Sequence, residues 1–456
     1  MDYSRFTSAT YREFMNQQVE IIKKYAGDDC IITTNTTGLN VDQIDQFSLG
    51  AFQDVASVDN YPLDETGVDE AALRLDFARS VKDGPFWVME QQSGATLLPA
   101  RHSQPRPGQL RLWAYQAAAR GAEMINFFRW RTCRFGQEMH WQGMLSANGS
   151  PGRRYKELQD AVAEIKGKRD LWEADLPRPS VGIVLDYEAH WALRDSVLGA
   201  SLDYMEHVRE LHGLLREMGV QGQLLGPGGD PAPYDAVVLP MPFVWNAEKM
   251  EGLGVYVVGG GTLLVTAPAG YRTGANTAHP ESPPGELEDL LGIAVEEHDI
   301  LRPDCPNAIE FAEGDGSAPV EFWGLCSVLD LHGASPLATY DRGYYSGTPA
   351  ATMHQKGEGR ALFLGATCGR KGYRRMLEEM LEVSGAEAWD WASESVEVVP
   401  LGSSTGEDDK VFVLNHAPDP VKLPLDGQTS CRDLLTDREH TGAVELDGYG
   451  VALLKL

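Results

Sequence analysis

Basic residues are in short supply: the 456-residue chain has 39 Lys and Arg against 67 Asp and Glu, a formal net charge of −28. A protein that gains affinity by neutralising phosphates needs a basic surface. Neither the total nor any local run supplies one, which argues against nucleic acid as a partner. The same acidity disfavours an anionic membrane. Long apolar runs are missing too. Nothing approaches the ~20 residues of a membrane-spanning helix, and the opening Met1-Asp2-Tyr3-Ser4-Arg5-Phe6 has no signal-peptide core, so a cytoplasmic location is expected. The six cysteines (Cys30, Cys133, Cys305, Cys326, Cys368 and Cys431) form no C-x-x-C pair. No zinc knuckle or disulfide framework is therefore indicated, and no metal or cofactor is expected. What is present is an ordinary globular composition, 43% apolar and 23% charged. Its length predicts roughly two to four domains.

Thr10-x-x-Glu13 has the form of a capping box, and Tyr11, Phe14, Met15, Val19 and Ile22 then recur at helical spacing up to Gly27. Residues 30–35 read as a buried strand with a polar carboxyl end. The form recurs at 55–60 before Tyr61-Pro62, at 86–89 before Glu90-Gln91, and at 124–128 before Arg129-Trp130. Helical patterns occupy 69–80, 108–120 and 153–166. Four strand–helix units predict a parallel α/β sheet whose site lies past the carboxyl ends of its strands. They are too few for an eight-stranded barrel, which needs about 250 residues. Leu176-Pro177-Arg178-Pro179 marks a linker. Beyond it, apolar strands at 181–185, 236–239, 262–266 and 361–365 and helices around 205–218 and 373–382 predict a flavodoxin-like three-layer α/β domain. The last stretch has short extended runs separated by Gly, Asp and Pro, as in a small β-sandwich. The expected domains are 1–170, 178–390 and 391–456.

Glu90 is the first candidate for chemistry, because it sits where an apolar strand meets the site-bearing end of the sheet. Trp87 before it and Gln91-Gln92-Ser93-Gly94 after it offer an aromatic wall, amide donors and a tight turn around one acid. Such groups bind sugars, and glycoside hydrolysis needs two carboxyl groups flanking the bond. A glutamine amidotransferase-like second domain would need a cysteine on a strand–helix elbow. Gly259-Gly260-Gly261 leads instead to Val265-Thr266-Ala267-Pro268, which has none. Those glycines also miss the G-x-G-x-x-G dinucleotide pattern.

Ile32-Thr33-Thr34-Asn35, Val58-Asp59-Asn60-Tyr61-Pro62, Trp87-Val88-Met89-Glu90-Gln91 and Phe127-Phe128-Arg129-Trp130-Arg131 occur in the order seen in β-galactosidases of glycoside hydrolase family 42. Essentially the whole chain resembles that family. The resemblance implies the C-terminal half of a TIM (β/α)8 barrel, strands five to eight, then a flavodoxin-like trimerisation domain and a small C-terminal β-sandwich. It also implies a homotrimer that hydrolyses terminal non-reducing β-D-galactosides with retention. By motif position Glu90 would be the nucleophile that forms a covalent galactosyl-enzyme. Glu138 would be the galactose-binding acid, with Asn35, Tyr61, Arg129 and Trp141 as further substrate-binding or supporting residues.

The chain departs from the family in three places. Trp141 stands where a histidine usually follows Glu138, and His140 comes one residue early, which suits a structural or rim histidine. Leu97-Leu98 replace an Asn-Trp pair. The acid/base glutamate of an Asn-Glu pair is absent from these residues, so the sequence is expected to be incomplete at its start. General acid assistance is worth ~10²–10⁴-fold, and the chain alone is expected to be impaired. Asp59 and Glu138 are the local acids that could substitute. The alternative is a catalytically inactive oligomerising or sugar-binding remnant, which would tolerate Glu90→Gln.

Overall fold

The computed structural model describes residues 1–36, 38–63, 67–96, 103–173, 175–244, 247–311, 318–402, 410–425 and 430–456. Its first helix, α1 (Asp2–Ala26), begins upstream of the expected capping box. The Thr10 hydroxyl donates at 2.9 Å to the Phe6 carbonyl within the helix, so it caps nothing. Ser4 and Ser8 are buried, whereas Tyr3, Phe6, Phe14, Ile21 and Tyr25 are 57–80% exposed. One apolar face of α1 is thus uncovered among the described residues.

After α1 come β1 (Asn35–Thr36), α2 (Gln46–Gly50), β2 (Ser57–Asn60), α3 (Val68–Lys82), β3 (Phe86–Gln92), α4 (Gln109–Ala119), β4 (Ala122–Phe128) and α5 (Arg153–Lys168). The four strands make a parallel sheet in the order β1-β2-β3-β4. The strand expected at 30–35 is laddered only from Asn35. Upstream of it the Ile32 N–H donates to Asp54 Oδ2 (2.7 Å) and the Thr34 N–H to Gln53 Oε1 (3.2 Å), side chains replacing a ladder.

Phe86 and Val88 pack with Val58, Leu75, Ala78 and Ala117 in the helix layer, so by alternation Trp87 and Met89 face the other side of the sheet. An extra residue then enters β3. Val58 pairs with Val88, but its successor Asp59 pairs with Glu90. The same slip appears against β4, where Gln91 pairs with Phe127. Strict alternation would send Glu90 into the helix layer; the bulge keeps it beside Asp59 on the open face.

The second region contains β5 (Leu176–Pro177), β6 (Val181–Val184), α6 (Tyr187–Arg194), α7 (Tyr204–Glu217), β7 (Gly222–Leu225), β8 (Ala236–Leu239), α8 (Ala247–Val258) and β9 (Thr262–Thr266). Strands β7, β6, β8, β9 and Gly359–Leu364 form the parallel, flavodoxin-like part of a nine-stranded sheet. Four antiparallel strands extend it through Pro349–Lys356, Ser335–Tyr340, Asn307–Phe311 and Val320–Phe322. The parallel strands are buried on both faces and carry the continuous apolar runs visible in the sequence. The antiparallel ones do not, and they escaped the sequence reading.

The C-terminal residues form a six-stranded antiparallel sheet with a two-stranded ladder over one face. Strand Val396–Gly402 is flanked by Lys410–Asn415 on one side and by β5 on the other, with Leu401 paired to Pro177. The expected linker is therefore an edge strand of this sheet. The sheet's second face (Val399, Leu401, Phe412, Leu414 and Leu453) packs on Leu112, Tyr115 and Ala118 of α4.

Buried charge joins the three regions. The side chains of Asp76 on α3, Arg120 just past α4 and Glu397 are 0–2% exposed. Arg120 pairs with Asp76, and its Nε donates to Glu397 Oε1 at 2.9 Å. Gln116 Nε2 donates to Glu397 Oε2 (2.8 Å), and His416 Nε2 lies 2.9 Å from the same oxygen. His212 Nε2 of α7 lies 2.8 Å from Asp76 Oδ2, and Gln221 Nε2 donates to Asp76 Oδ1 at 3.0 Å. Burial opposes ionisation of both carboxyls, but Arg120 and the facing histidines outweigh it and hold them below the usual carboxylate range. The helices α3 and α4 that carry this network flank the strand bearing Glu90.

Candidate active site

The carboxyl ends of the four strands, and the turns after them, bring most of the sequence candidates together. The Tyr61 hydroxyl donates to Glu90 Oε2 at 2.6 Å. Burial, with the Glu90 carboxylate next, raises the phenol far above its ordinary range, so Tyr61 stays a donor. Trp141 packs edge-on against Tyr61 (5.5 Å between centroids) and Phe128 (5.8 Å). The Arg129 guanidinium lies over the Phe128 ring at 4.9 Å and donates through Nη1 to Glu138 Oε2 at 2.8 Å. Asn35 reaches the cluster through Asp59, donating from Nδ2 to Asp59 Oδ1 at 2.7 Å.

Two motif readings need correction. Gln91 and Gln92 are not exposed amide donors: both are buried in the scaffold. Asn60 Nδ2 donates to Gln91 Oε1 (2.9 Å) and the Leu63 N–H to Gln92 Oε1 (2.8 Å), which ties the turn after β2 to β3. Trp87 lies lower on β3, where its indole N–H donates to Glu123 Oε2 at 3.2 Å. The aromatic wall comes instead from Tyr61, Phe128 and Trp141. His140 stands on the exposed loop at a φ of 77°, its N–H donating to the Cys133 carbonyl at 3.0 Å. Leu97 and Leu98 lie outside the described residues.

Arg74 is a site residue that sequence reasoning missed. It is buried on α3, donating through Nη1 to the Asp59 carbonyl (3.2 Å) and through Nη2 to Glu70 Oε1 (2.8 Å). Its position within an ordinary helical pattern gave no signal. The turn after β3 is closely held. The Ser93 hydroxyl donates to the Phe128 carbonyl at 2.7 Å, and the Gln142 N–H to the Ala95 carbonyl at 3.1 Å. A Cβ on Gly94 would stand 2.8 Å from the Gln142 carbonyl oxygen. This fastens the loop bearing Glu138 and Trp141 to the end of β3.

Burial, and then the charge of Glu90, push the Asp59 carboxyl up to about 7, against the opposing pull of Arg74 and Asn35. Glu138 is engaged by Arg129. Glu90 Oε1 has no hydrogen-bond partner among the described residues. A carboxylate with one oxygen held by a phenol and the other open, beside aromatic rings, can attack an electrophilic carbon of a small hydroxyl-bearing ligand. Among the described residues no group of three or more His, Cys, Asp or Glu side chains could hold a metal ion, and no helix is long and apolar enough to cross a membrane.

Comparison with known proteins extends over all three regions. Residues 1–167 match a family model described as beta-galactosidase, 179–386 one described as beta-galactosidase trimerisation domain, and 396–456 one described as beta-galactosidase C-terminal domain. Beta-galactosidase BgaH of Haloferax lucentense is 32% identical over 443 residues, covering 94% of this chain and 64% of the relative. Beta-galactosidase Bga of Halorubrum lacusprofundi is 30% identical over 489 residues, covering 99% and 68%. The crystal structure of a beta-galactosidase from Bacillus circulans sp. alkalophilus superposes with a TM-score of 0.93 at 27% identity, covering 100% of this chain and 67% of that one. The chain thus spans about two thirds of the length of these relatives.

Proposed function

The chain belongs to the GH42 β-galactosidase family, and from that membership we propose that it hydrolyses terminal non-reducing β-D-galactosides with retention, through a covalent ester on Glu90. The observation that carries this reading is the Tyr61–Glu90 contact of 2.6 Å, which orients one carboxylate oxygen and leaves the other open. The open oxygen attacks the anomeric carbon, the bond to the leaving oxygen breaks, and water later cleaves the ester with a second inversion, giving net retention. Tyr61, Phe128 and Trp141 supply apolar ring surface against one face of the sugar. Glu138, oriented by Arg129, accepts from galactose hydroxyls, and Asn35 supports Asp59.

The four-stranded sheet is proposed to be strands five to eight of an eight-stranded barrel. Three features among the described residues support this: the open edges of β1 and β4, the uncovered apolar face of α1, and a groove of about 330 Å³ along β4 whose lining includes Ile125, Phe127, Val162 and Ile165. Unpaired edges and apolar faces of this size call for covering polypeptide. Further strands there would also supply the acid that protonates the leaving oxygen. The likeness of residues 179–386 to a trimerisation domain supports a homotrimer, and sedimentation as a monomer would count against it.

The test of the reaction uses an aryl 2-deoxy-2-fluoro-β-galactoside, whose good leaving group needs little acid help. Mass spectrometry should find one galactosyl ester, on Glu90. Labelling elsewhere, or NMR showing the product anomer inverted, refutes the proposal.

A further inference from the structure

The geometry points to Asp59 as the charge partner of Glu90, set beside it across β2 and β3 so that it holds a proton more readily while Glu90 is charged and gives it up when Glu90 becomes an ester. This rests on Glu90 as the nucleophile. Asp59 and Glu90 are register partners on adjacent parallel strands, and they share the open face only because β3 holds one extra residue. Of the pairs around the insertion only this one reaches the open face, since Val58–Val88 before it and Asn60–Gln91 after it are buried in the scaffold.

The groups around Asp59 come from every adjoining element. Asn35 on β1 donates to its Oδ1 at 2.7 Å. Arg74 on α3 gives its Nη1 to the Asp59 backbone carbonyl and its Nη2 to Glu70, so among the described residues no cation is bonded to the Asp59 carboxylate itself. Glu90 on β3 and Tyr61 in the turn complete the surroundings, with the Arg129–Glu138 pair beyond Tyr61. Burial and the like charge of Glu90 outweigh the pull of the nearby Arg74 charge and of the Asn35 amide, so half-buried Asp59 holds a proton more readily than an ordinary aspartate.

The consequence appears when Glu90 becomes an ester. The Glu90–C1 bond forms, the bond from C1 to the leaving oxygen breaks, and the charge on Glu90 disappears. Asp59 then ionises, its proton passing to bulk water. When water cleaves the ester and Glu90 regains its charge, Asp59 takes a proton back. Negative charge therefore stays near the anomeric carbon in both half-reactions, where the transition state is oxocarbenium-like. Asp59 is a positioning residue here, acting through Glu90.

The test is an NMR titration of the chain with ¹³C-labelled aspartate carboxyls, using Asp59→Asn to assign the signal. The expected Asp59 midpoint is about 7. In Glu90→Gln it should fall by about one unit or more, because a like charge on the register partner is removed. A midpoint near the ordinary aspartate value of ~3.9, or one unmoved by Glu90→Gln, overturns the inference. Should Glu90→Gln fail to fold, the fluorogalactosyl ester on the wild-type chain removes the same charge and carries the same expectation. Absence of any ester on Glu90 would sink the nucleophile assignment instead, while the titration still decides the pairing.

Discussion

Arg120→Met attacks the junction on which the position of β3 depends. Arg120 lies between two fully buried carboxyls, Asp76 from α3 and Glu397 from the C-terminal sheet. Removing one partner of a buried ion pair costs about 3–5 kcal/mol, because it strands the other charge. Both carboxyls lose a partner here, but neither is left bare: Asp76 keeps Arg79 (3.6 Å), His212 and Gln221, and Glu397 keeps Gln116 and His416. The lower end, about 3 kcal/mol, is therefore expected. Hydrogen exchange read by mass spectrometry is suitable because it resolves local opening in a protein of several domains. Peptides spanning 109–120 and 396–402 should exchange on the order of 10²-fold faster than in the wild type, at about 1.4 kcal/mol per tenfold.

The pH dependence gives a second check of opposite sign. In the wild type both carboxyls are depressed, so their stabilisation is complete above the ordinary carboxylate range and is lost as pH falls through and below it. In Arg120→Met the fully buried Glu397 carboxyl, left with Gln116 and His416, titrates above its unfolded value, and the variant should gain stability as pH is lowered from 7 towards 5. Adding Glu397→Gln should restore part of the loss. Exchange within threefold of wild type at pH 7, or a variant that only weakens on acidification, refutes the account of the network.

Three further outcomes follow from the site. Tyr61→Phe removes a hydrogen bond to a charged group, worth about 1.5–3 kcal/mol, and should lower kcat/KM on an aryl β-galactoside roughly 10–100-fold; an unchanged rate would remove Tyr61 from the mechanism. Glu90→Gln should abolish turnover and ester formation while leaving the circular dichroism spectrum intact, and retained turnover would favour a site built elsewhere. Gly94→Ala forces a methyl against the Gln142 backbone, and thermal unfolding should report a loss of about 1–3 kcal/mol.

Much of the fold was legible because buried parallel strands and amphipathic helices write themselves as apolar runs and 3.6-residue periods. The runs at 86–89, 236–239 and 262–266 all lie in strands with parallel neighbours, and the polar end of the first locates the site. The resemblance carried by the four motifs was likewise local, since each is a strand end and the turn after it. Thr10-x-x-Glu13 misled because the same residues fit a helix interior, where a threonine satisfies its hydroxyl on its own helix. Leu176-Pro177 misled because two prolines suit an edge strand as well as a linker.

The sequence alone determined the strand–helix order, the three regions and the acid at the end of β3, because these depend on residues near one another in the chain. Tertiary structure decided the rest. Only the pairing of β2 with β3 shows the inserted residue that turns Glu90 towards Asp59 instead of into the helix layer. Only packing reveals that Gln91 and Gln92 hold the scaffold, that Arg74 backs Asp59, and that Asp76 and Arg120, His212 and Glu397 meet from three regions. Those contacts join residues up to 277 positions apart. Periodicity is a local signal, and charge compensation in a buried junction is satisfied by whichever distant side chain the fold brings there.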